Sequence, residues 1–259
     1  MSAVRVAAII PARVASSRFP GKPLVEVRGL SMIEHVRRRA LRCREFSEVV
    51  VATCDQEIAR VVQRGGGRVV MTSAAHPAAT DRVAEAAGAL DCTHVVNVQG
   101  DEILVLPEDL GAMARAILAE PEIPAWNAVG RIERAEELAD RAIVKCVLSL
   151  SGRVLYCARD FSMSASRRGP SFEPIRSLLG VLGYRREFLQ RYAALPRTPI
   201  ELAESIDQSR IIEHDIVLRA VAFSRGYPGI NEPHEVAVAQ RYLEEDPKQR
   251  TALAAVLRG

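Results

Sequence analysis

The chain has 259 residues, of which 48% are hydrophobic, 26% charged and 5% aromatic, and this composition indicates a folded globular protein rather than a disordered one. The formal net charge of +3 is too small to indicate a nucleic-acid-binding protein. No apolar stretch approaches the roughly 18 to 20 residues of a membrane span, and the N-terminus has no signal-peptide pattern, so we expect a cytoplasmic protein without a membrane or nucleic-acid partner.

Cysteine and lysine usage are both informative. The five cysteines are scattered and none belongs to a CxxC pair, so we expect reduced thiols rather than a disulfide framework or a zinc site. The 35 basic residues include only three lysines, Lys22, Lys145 and Lys248. In a chain that uses arginine almost everywhere else, each lysine is a rare choice.

The N-terminal part begins with a strand pattern followed by a helix pattern. The apolar run Val4–Ile10 predicts a strand that is buried on both faces. A loop separates it from a helix over about residues 32–44, for which Ser31 and Glu34 form a capping-box pattern.

The same alternation continues to about residue 120. Further strands are predicted over Glu48–Thr53, Arg68–Thr72 and His94–Val98. The intervening and following helices are predicted to begin with Asp55 and Thr80 as caps and with Pro107 in the first turn. Such alternation predicts a mostly parallel sheet with helices on both faces.

The pattern changes after Ala125. Val144–Leu150 and Arg153–Cys157 are separated by a Ser-Gly pair, which predicts a hairpin and therefore a mixed sheet. The stretch Asp160–Pro174 is rich in Ser, Arg, Gly and Pro, and is predicted to be a mobile loop.

The loop after the first strand has a phosphate-binding character. It spans Pro11–Leu24, is stiffened by three prolines, and contains small residues that leave backbone N–H groups accessible. Its basic residues are Arg13, Arg18 and Lys22. These features predict a polyphosphate-binding loop, although the spacing matches neither a P-loop nor a GxGxxG motif. The alternative is an arginine-rich surface loop.

A second candidate segment lies at the end of the strand His94–Val98. Asp101 and Glu102 follow Gly100, where the strand must stop. A carboxylate at this position can hold a divalent cation against phosphate groups. Many ordinary turns contain Gly-Asp, so this segment alone is weak evidence for a binding site. It becomes strong evidence in combination with the first loop.

Together these segments resemble the bacterial CMP-Kdo synthetases, the 3-deoxy-manno-octulosonate cytidylyltransferases. The resemblance runs from Ile9 to about Leu243, and its most specific part is IIPARVASSRFPGKPL at Ile9–Leu24. The other matching segments are Val51–Asp55, His76–Arg82, Val96–Glu102, Val144–Lys145, Leu155–Arg159, Leu179–Arg185 and Glu201–Arg210.

The resemblance implies an α/β fold of the Rossmann-like nucleotide-sugar transferase (GT-A-like) kind, with three layers and a mixed, mostly parallel sheet. It implies one domain over residues 1–259, with a nucleotide-binding part at about 1–125 and an acceptor-binding and dimerisation part at about 126–235. The implied reaction couples CTP to an acidic sugar with Mg²⁺ as cofactor and releases pyrophosphate, usually in a homodimer.

The resemblance also implies roles for single residues. Those expected to hold the triphosphate are Arg13, Ser17, Arg18 and Lys22, with Arg82 and Gln99 near the nucleotide. Those expected on the acceptor side are Lys145, Arg159, Glu204, Asp207 and Gln208. Lys22, Arg18 and Asp101 would be catalytic, and Asp101 would bind Mg²⁺ with Asn231 at the second ligand position.

The sequence departs from the family at several of these places. Asn231 stands where the family usually has Asp, which predicts weaker Mg²⁺ binding unless Glu232 contributes. Leu178 and Leu182 replace a His and an aromatic residue, so the acceptor pocket is expected to be less polar.

Two further sets of departures lie on the acceptor side or near the nucleotide. Ala78-Ala79 replaces Ser-Gly, and Asp207 replaces Glu. Three hypotheses therefore stay open: a Kdo-type acceptor, a different acid such as a phosphonate, and a catalytically silent nucleotide-binding paralogue. A uridylyl or guanylyl transferase is a further enzymatic rival, although we expect CTP to be the nucleotide.

The segment Glu201–Arg210 has two interpretations of its own. Glu201, Glu204 and Gln208 share one face if the segment is a single helix. That face is interpreted either as acceptor-binding or as an ordinary solvated surface.

Overall fold

The fold is built on one large mixed sheet, and the structure, a computed structural model, describes residues 3–16, 18–161 and 174–258. The strands within these ranges are β1 (Val6–Ala12), β2 (Glu26–Val27), β3 (Leu30–Ser31), β4 (Phe46–Thr53), β5 (Arg68–Met71), β6 (His94–Val98), β7 (Ala125–Arg131), β8 (Lys145–Leu148), β9 (Val154–Ala158), β10 (Ile175–Arg185) and β11 (Leu218–Ala222). β2 and β3 form a small separate sheet, and the others form the large one.

The helices connect these strands and cover the sheet. Those within the described ranges are α1 (Met32–Ala40), α2 (Gln56–Arg64), α3 (Ala79–Gly88), α4 (Pro107–Ala119), α5 (Glu136–Ala139), α6 (Arg186–Ala194), α7 (Pro199–Glu204), α8 (Gln208–Glu213), α9 (Glu235–Glu245) and α10 (Pro247–Leu257). In this part of the chain no helix is both long and apolar enough to cross a bilayer.

The large sheet has the strand order β11-β7-β10-β6-β1-β4-β5, and β8 and β9 extend it from β10. β1 pairs in parallel with β4 and β6, β4 with β5, and β7 with β11. β10 runs antiparallel to β6, β7 and β8, and β8 and β9 form an antiparallel hairpin. Only β9 and β10 therefore oppose the common direction of the sheet within the described residues, which confirms the predicted mixed, mostly parallel sheet.

Two apolar cores lie on opposite faces of the sheet. The first core is formed with side chains of α1, α2, α4, α9 and α10. The second core is formed with side chains of α3, α6 and α8. β1 supplies alternate residues to the two cores, with Ala8 and Ile10 on one face and Ala7 and Ile9 on the other. Burial on both faces explains its continuous apolar sequence and gives the predicted three-layer arrangement.

Several predicted elements are confirmed. The strand His94–Val98, the helix beginning at Pro107 and the hairpin of β8 and β9 are found where their patterns place them. The helix predicted over about 32–44 ends at Ala40, because the chain then tightens into turns in which Arg42 and Cys43 bond carbonyls three residues back. The predicted mobile loop Asp160–Pro174 lies mostly outside the described residues.

Three predicted side-chain caps are wrong. Ser31 makes no side-chain cap bond, and the Glu34 carboxylate accepts hydrogen bonds from Arg37 and Arg38 rather than from the Ser31 N–H. Asp55 does not cap α2 with its side chain. Thr80 lies one residue inside α3, which begins at Ala79.

The predicted single helix over Glu201–Arg210 is also wrong. Ser205 has a left-handed φ of 54°, and this residue ends α7 before α8 begins. Glu201 is fully buried and its carboxylate binds the Arg210 guanidinium at 2.7 and 2.5 Å. Arg197 contributes a further bond at 3.0 Å from a largely exposed position. Glu201 therefore holds the two short helices together and does not lie on a solvated face.

This arrangement predicts different costs for the two arginines. Arg210→Met leaves the buried Glu201 carboxylate without its main partner, and should lower the free energy of unfolding by about 3 to 5 kcal/mol. Arg197→Met removes an exposed partner and should cost about 0 to 1 kcal/mol. Urea unfolding of both variants measures the difference, and equal losses would contradict this account of Glu201.

Candidate active site

The candidate site lies at the edge of the sheet where β1 and β6 end. These strands are parallel neighbours, so the loop after β1 and the turn after β6 leave the sheet on the same side. The first loop folds back on itself, because the Gly21 N–H bonds the Val14 carbonyl oxygen at 3.0 Å. Gly21 adopts a left-handed φ of 72° and precedes a single 3-10 turn, Lys22–Leu24, which begins with Lys22.

The Lys22 ammonium joins three segments of the chain. Its Nζ donates to Asp101 Oδ2 at 2.7 Å and to the Ile230 carbonyl oxygen at 2.9 Å. Both charged side chains are only 17% exposed. The structure therefore brings together the two sequence segments predicted to carry the chemistry, and adds the segment that follows β11.

The segment that follows β11 is held in place from two sides. The Ile230 N–H donates to the Asp101 carbonyl oxygen at 3.2 Å. The Glu235 carboxylate accepts bonds from the backbone N–H groups of Asn231 and Glu232, at 2.5 and 2.8 Å.

Within this segment Asn231, rather than Glu232, faces the first loop. Arg18 donates from Nη2 to Asn231 Oδ1 at 3.3 Å. The exposed Glu232 carboxylate lies 3.5 Å from His234 Nδ1. The amide oxygen of Asn231 is therefore the side-chain oxygen of this segment that could coordinate a metal ion together with Asp101.

Glu102 lies against β10 beside the same cluster. Its Oε1 accepts the Gly180 N–H at 2.9 Å, and a Cβ at Gly180 would lie only 2.4 Å from that oxygen. The Gly180 carbonyl oxygen in turn accepts the Gln99 N–H at 2.9 Å. Burial, together with the neighbouring Asp101 carboxylate, raises the pKa of Glu102 to about 8.

Asp55 anchors the start of the first loop. Its Oδ2 accepts the Val14 N–H at 2.7 Å across the edge between β1 and β4. Its own N–H donates to Thr53 Oγ1 at 3.1 Å. The carboxylate therefore fixes the path of the chain four residues before Arg18 instead of capping α2.

The remaining residues predicted to bind the nucleotide differ in their exposure to solvent. Arg13 is exposed on the first loop, whereas Arg82 is buried and donates to Thr72 Oγ1. Gln99 is half-buried at the end of β6. Ser17 lies outside the described residues.

The structure places the two basic residues of the predicted acceptor side in backbone contacts. Lys145 is fully buried, and its Nζ donates to the carbonyl oxygens of Asp140, Ile143 and Arg159 at 2.7, 2.8 and 2.5 Å. A ligand contact by Lys145 would have to replace one of these bonds, so its acceptor role stays a prediction.

The side chains of Arg159 and Glu204 likewise make hydrogen bonds to backbone groups, each to the backbone of the other residue. Arg159 donates from Nε to the Glu204 carbonyl oxygen at 2.8 Å and from Nη1 to the Arg141 carbonyl oxygen at 2.9 Å. The Glu204 carboxylate accepts the Arg159 N–H at 3.0 Å. These contacts fix α7 to β9 at the rim of the predicted acceptor side.

Gln208 and Asp207 lie where α8 begins over the second core. Gln208 Nε2 donates to Asn127 Oδ1 at 2.9 Å, and Asn127 donates to the Leu179 carbonyl oxygen at 3.0 Å. Burial, with the nearby Glu201 carboxylate, raises the pKa of Asp207. Gln208 therefore connects α8 to β7 and, through Asn127, to β10, the strand that carries Gly180.

Leu178 and Leu182 both contribute to the second core. Leu182 is 2% exposed on β10, where it pairs with Asn97 of β6 and Asn127 of β7. Leu178 packs against the same core from a half-buried position. The side chains that replace a His and an aromatic residue of the family are therefore apolar packing elements.

The oxygen atoms around Lys22 suit a divalent cation that is shared with a phosphate ligand. Asp101, Asn231 and the Ile230 carbonyl oxygen are the hard donors that Mg²⁺ prefers. Within residues 3–16, 18–161 and 174–258, no group of three or more His, Cys, Asp or Glu side chains is placed to hold a metal by itself. Mg²⁺ in proteins is commonly held by one or two carboxylates together with substrate phosphates.

Sequence reasoning missed the anchoring residues of this site. The Ile230 carbonyl oxygen and Gly180 act through backbone position, which no side-chain pattern reveals. Asp55 was interpreted as a helix cap, although its position directly after a buried strand was the available signal for a site role.

Comparisons with known proteins identify the family of the chain. The family model described as cytidylyltransferase matches residues 7–218. The 3-deoxy-manno-octulosonate cytidylyltransferase of Geobacter sulfurreducens is 38% identical over 242 residues, which cover 90% of this chain and 97% of the relative. The enzyme of the same name from Myxococcus xanthus is 41% identical over 239 residues, covering 91% and 95%.

A solved structure gives the same result in three dimensions. The CMP:2-keto-3-deoxy-manno-octonic acid synthetase complexed with CTP superposes with a TM-score of 0.87 at 32% identity, over 93% of this chain and 99% of that one. The chain therefore belongs to the cytidylyltransferase family, in the neighbourhood of the CMP-Kdo synthetases, and is a CTP-dependent nucleotidyltransferase.

Proposed function

We propose that this enzyme transfers CMP from CTP to a small acidic acceptor of the Kdo type, an ulosonic acid, in an Mg²⁺-dependent reaction that releases pyrophosphate. The observation that carries the proposal is the cluster of Lys22, Asp101 and the Ile230 carbonyl oxygen at the ends of β1 and β6. The names of the similar relatives support the choice of acceptor class.

The proposed reaction needs positioning and charge neutralisation more than covalent chemistry. A hydroxyl oxygen of the acceptor attacks the α-phosphorus, the new P–O bond forms, and the bond between the α- and β-phosphoryl groups breaks. Arg13, Arg18 and Lys22 would bind the triphosphate, and Lys22 and Arg18 would stabilise the charge that develops on pyrophosphate.

Asp101 and Asn231 would hold Mg²⁺ together with phosphate oxygens. The bound ion would neutralise charge at the reacting phosphoryl group. Arg82 and Gln99 would contact the nucleotide, whereas Lys145, Arg159, Glu204, Asp207 and Gln208 would shape the acceptor side.

A different acid is the second candidate, and one observation favours it. Leu178 and Leu182 pack into the apolar core on β10, so they offer no hydrogen bond to sugar hydroxyls on this side. A site that leaves polyol hydroxyls without partners discriminates against them. A smaller anion such as a phosphonate would avoid this loss.

We also propose that the enzyme is a homodimer that works in the cytoplasm. The hairpin of β8 and β9 exposes Leu150, Leu155 and Tyr156, which a second copy of the chain would cover. All five cysteines are free thiols, which suits a reducing compartment. Analytical ultracentrifugation measures the mass of the particle in solution, and a monomer at micromolar concentration would contradict the proposed homodimer.

Pyrophosphate release tests the proposed reaction. Purified enzyme is given CTP and Mg²⁺ with Kdo, its amino analogue, nonulosonic acids or simple phosphonates, and the CMP conjugate is identified by mass. We expect turnover with Kdo that stops when Mg²⁺ is omitted. Turnover only with another acid would favour the second candidate and make the departures from the family the specificity switch, and CTP binding without any turnover would favour a silent paralogue.

The anchor at Asp55 gives a separate prediction for the nucleotide. Asp55→Ala removes the acceptor of the Val14 N–H, and loss of a bond to a charged group costs about 1.5 to 3 kcal/mol. Because about 1.4 kcal/mol corresponds to tenfold in affinity, we expect the KM for CTP to rise about tenfold or more.

The conservative variant and a control keep this test specific. Asp55→Asn retains an oxygen acceptor and should recover part of the loss. Asp91→Ala removes an exposed carboxylate that pairs with Arg5, and should leave KM unchanged. An unchanged KM for CTP in Asp55→Ala would contradict the anchoring role.

A further inference from the structure

Each residue proposed to bind the metal is already bound by a residue proposed to bind the triphosphate. Lys22 Nζ lies 2.7 Å from Asp101 Oδ2. Arg18 Nη2 lies 3.3 Å from Asn231 Oδ1. The third oxygen of the cluster, the Ile230 carbonyl, also accepts from Lys22.

Lys22 is therefore placed as a cation among oxygen ligands. Its ammonium is largely buried and donates to a carboxylate and to a carbonyl oxygen. Both kinds of oxygen are common ligands of divalent cations. A metal ion that approaches Asp101 must overcome the repulsion of this ammonium at close range.

Within the described residues Asp101 also belongs to no group of three or more His, Cys, Asp or Glu side chains that could hold a metal ion without a ligand. Asn231 contributes an oxygen but no charge. Free metal therefore gains little from the protein while Lys22 keeps its present position.

A triphosphate changes this balance. Its oxygens carry several negative charges and attract both Lys22 and Arg18. When these side chains turn to phosphate, Asp101, Ile230 and Asn231 lose their bound cations together, and the phosphate oxygens supply the missing ligands.

We propose that Lys22 is a built-in counter-ion that keeps the metal site closed until the nucleotide draws it away, so that the divalent cation binds only together with CTP. The proposal rests on the proposed roles of Lys22 and Asp101. It adds a binding order to them, and by linkage the metal and the nucleotide then increase each other's affinity by the same factor.

Mn²⁺ binding to the nucleotide-free enzyme tests the closed state. The loss of the free Mn²⁺ signal in electron paramagnetic resonance is measured for the wild type and for Lys22→Met, with folding checked by thermal unfolding. We expect Lys22→Met to bind Mn²⁺ at least about tenfold more tightly, within the range typical of coupled sites.

Two further variants make the comparison specific. Lys248→Met removes the same charge from an exposed position on α10 and should bind Mn²⁺ like the wild type. Lys22→Met combined with Asp101→Asn should lose the gain. Wild-type enzyme that binds Mn²⁺ as tightly as Lys22→Met does would overturn the proposal.

The small number of lysines allows a second test that needs no variant of the site. With ¹⁵N-labelled lysine, the Nζ signals of Lys22, Lys145 and Lys248 are followed while CTP is added in the presence of EDTA. We expect the Lys22 signal to shift and the Lys145 signal, whose ammonium is bound by three carbonyls, to stay in place.

Calorimetry under the same conditions separates the possible failures. CTP binding with an unmoved Lys22 signal would overturn the counter-ion proposal and leave the cytidylyl transfer intact. Absence of CTP binding both with and without metal would instead contradict the nucleotide site itself.

Discussion

The structure depends on the burial of β1 between two parallel neighbours. Its residues from Val6 to Ala12 are buried on both faces, with β4 on one side and β6 on the other. Because the three strands point the same way, the chain segments that follow them all leave at one edge of the sheet. The strand pairing therefore brings the loop that carries Lys22, the carboxylate of Asp55 and the turn that carries Asp101 to one place, where direct hydrogen bonds then join them.

Patterns that act over short distances predicted much of this arrangement. The apolar run of β1, the strand His94–Val98 and the proline at the start of α4 are local signals, and the strand pairing places their loops together. The first loop and the turn after β6 are both predicted to carry the chemistry, and in the structure Lys22 and Asp101 join them. The hairpin of β8 and β9 was equally visible, because a Ser-Gly pair separates its two strands.

The sequence did not predict the carboxylates that bind partners far along the chain. The residues that follow Asp55 in the sequence predict that it caps a helix, but the N–H that it binds belongs to Val14, 41 residues away along the chain. Glu201 was placed on a polar face by helical spacing, yet tertiary contact with Arg210 buries it. The sequence also does not predict the three carbonyl oxygens that hold the Lys145 ammonium, and the acceptor role of this lysine stays a prediction.

The C-terminal helices support the candidate site although their sequence lies far from its motifs. Glu235 at the start of α9 holds the backbone of Asn231, while Arg38 of α1 bonds the Val256 carbonyl oxygen near the end of α10. The region that the family model matches stops at residue 218, before this segment begins. A chain cut at that boundary would keep the basic loop and Asp101 but would lose the oxygens of Ile230 and Asn231. The segment after residue 218 therefore belongs to the same folded unit as the basic loop and Asp101, although the family match ends before it.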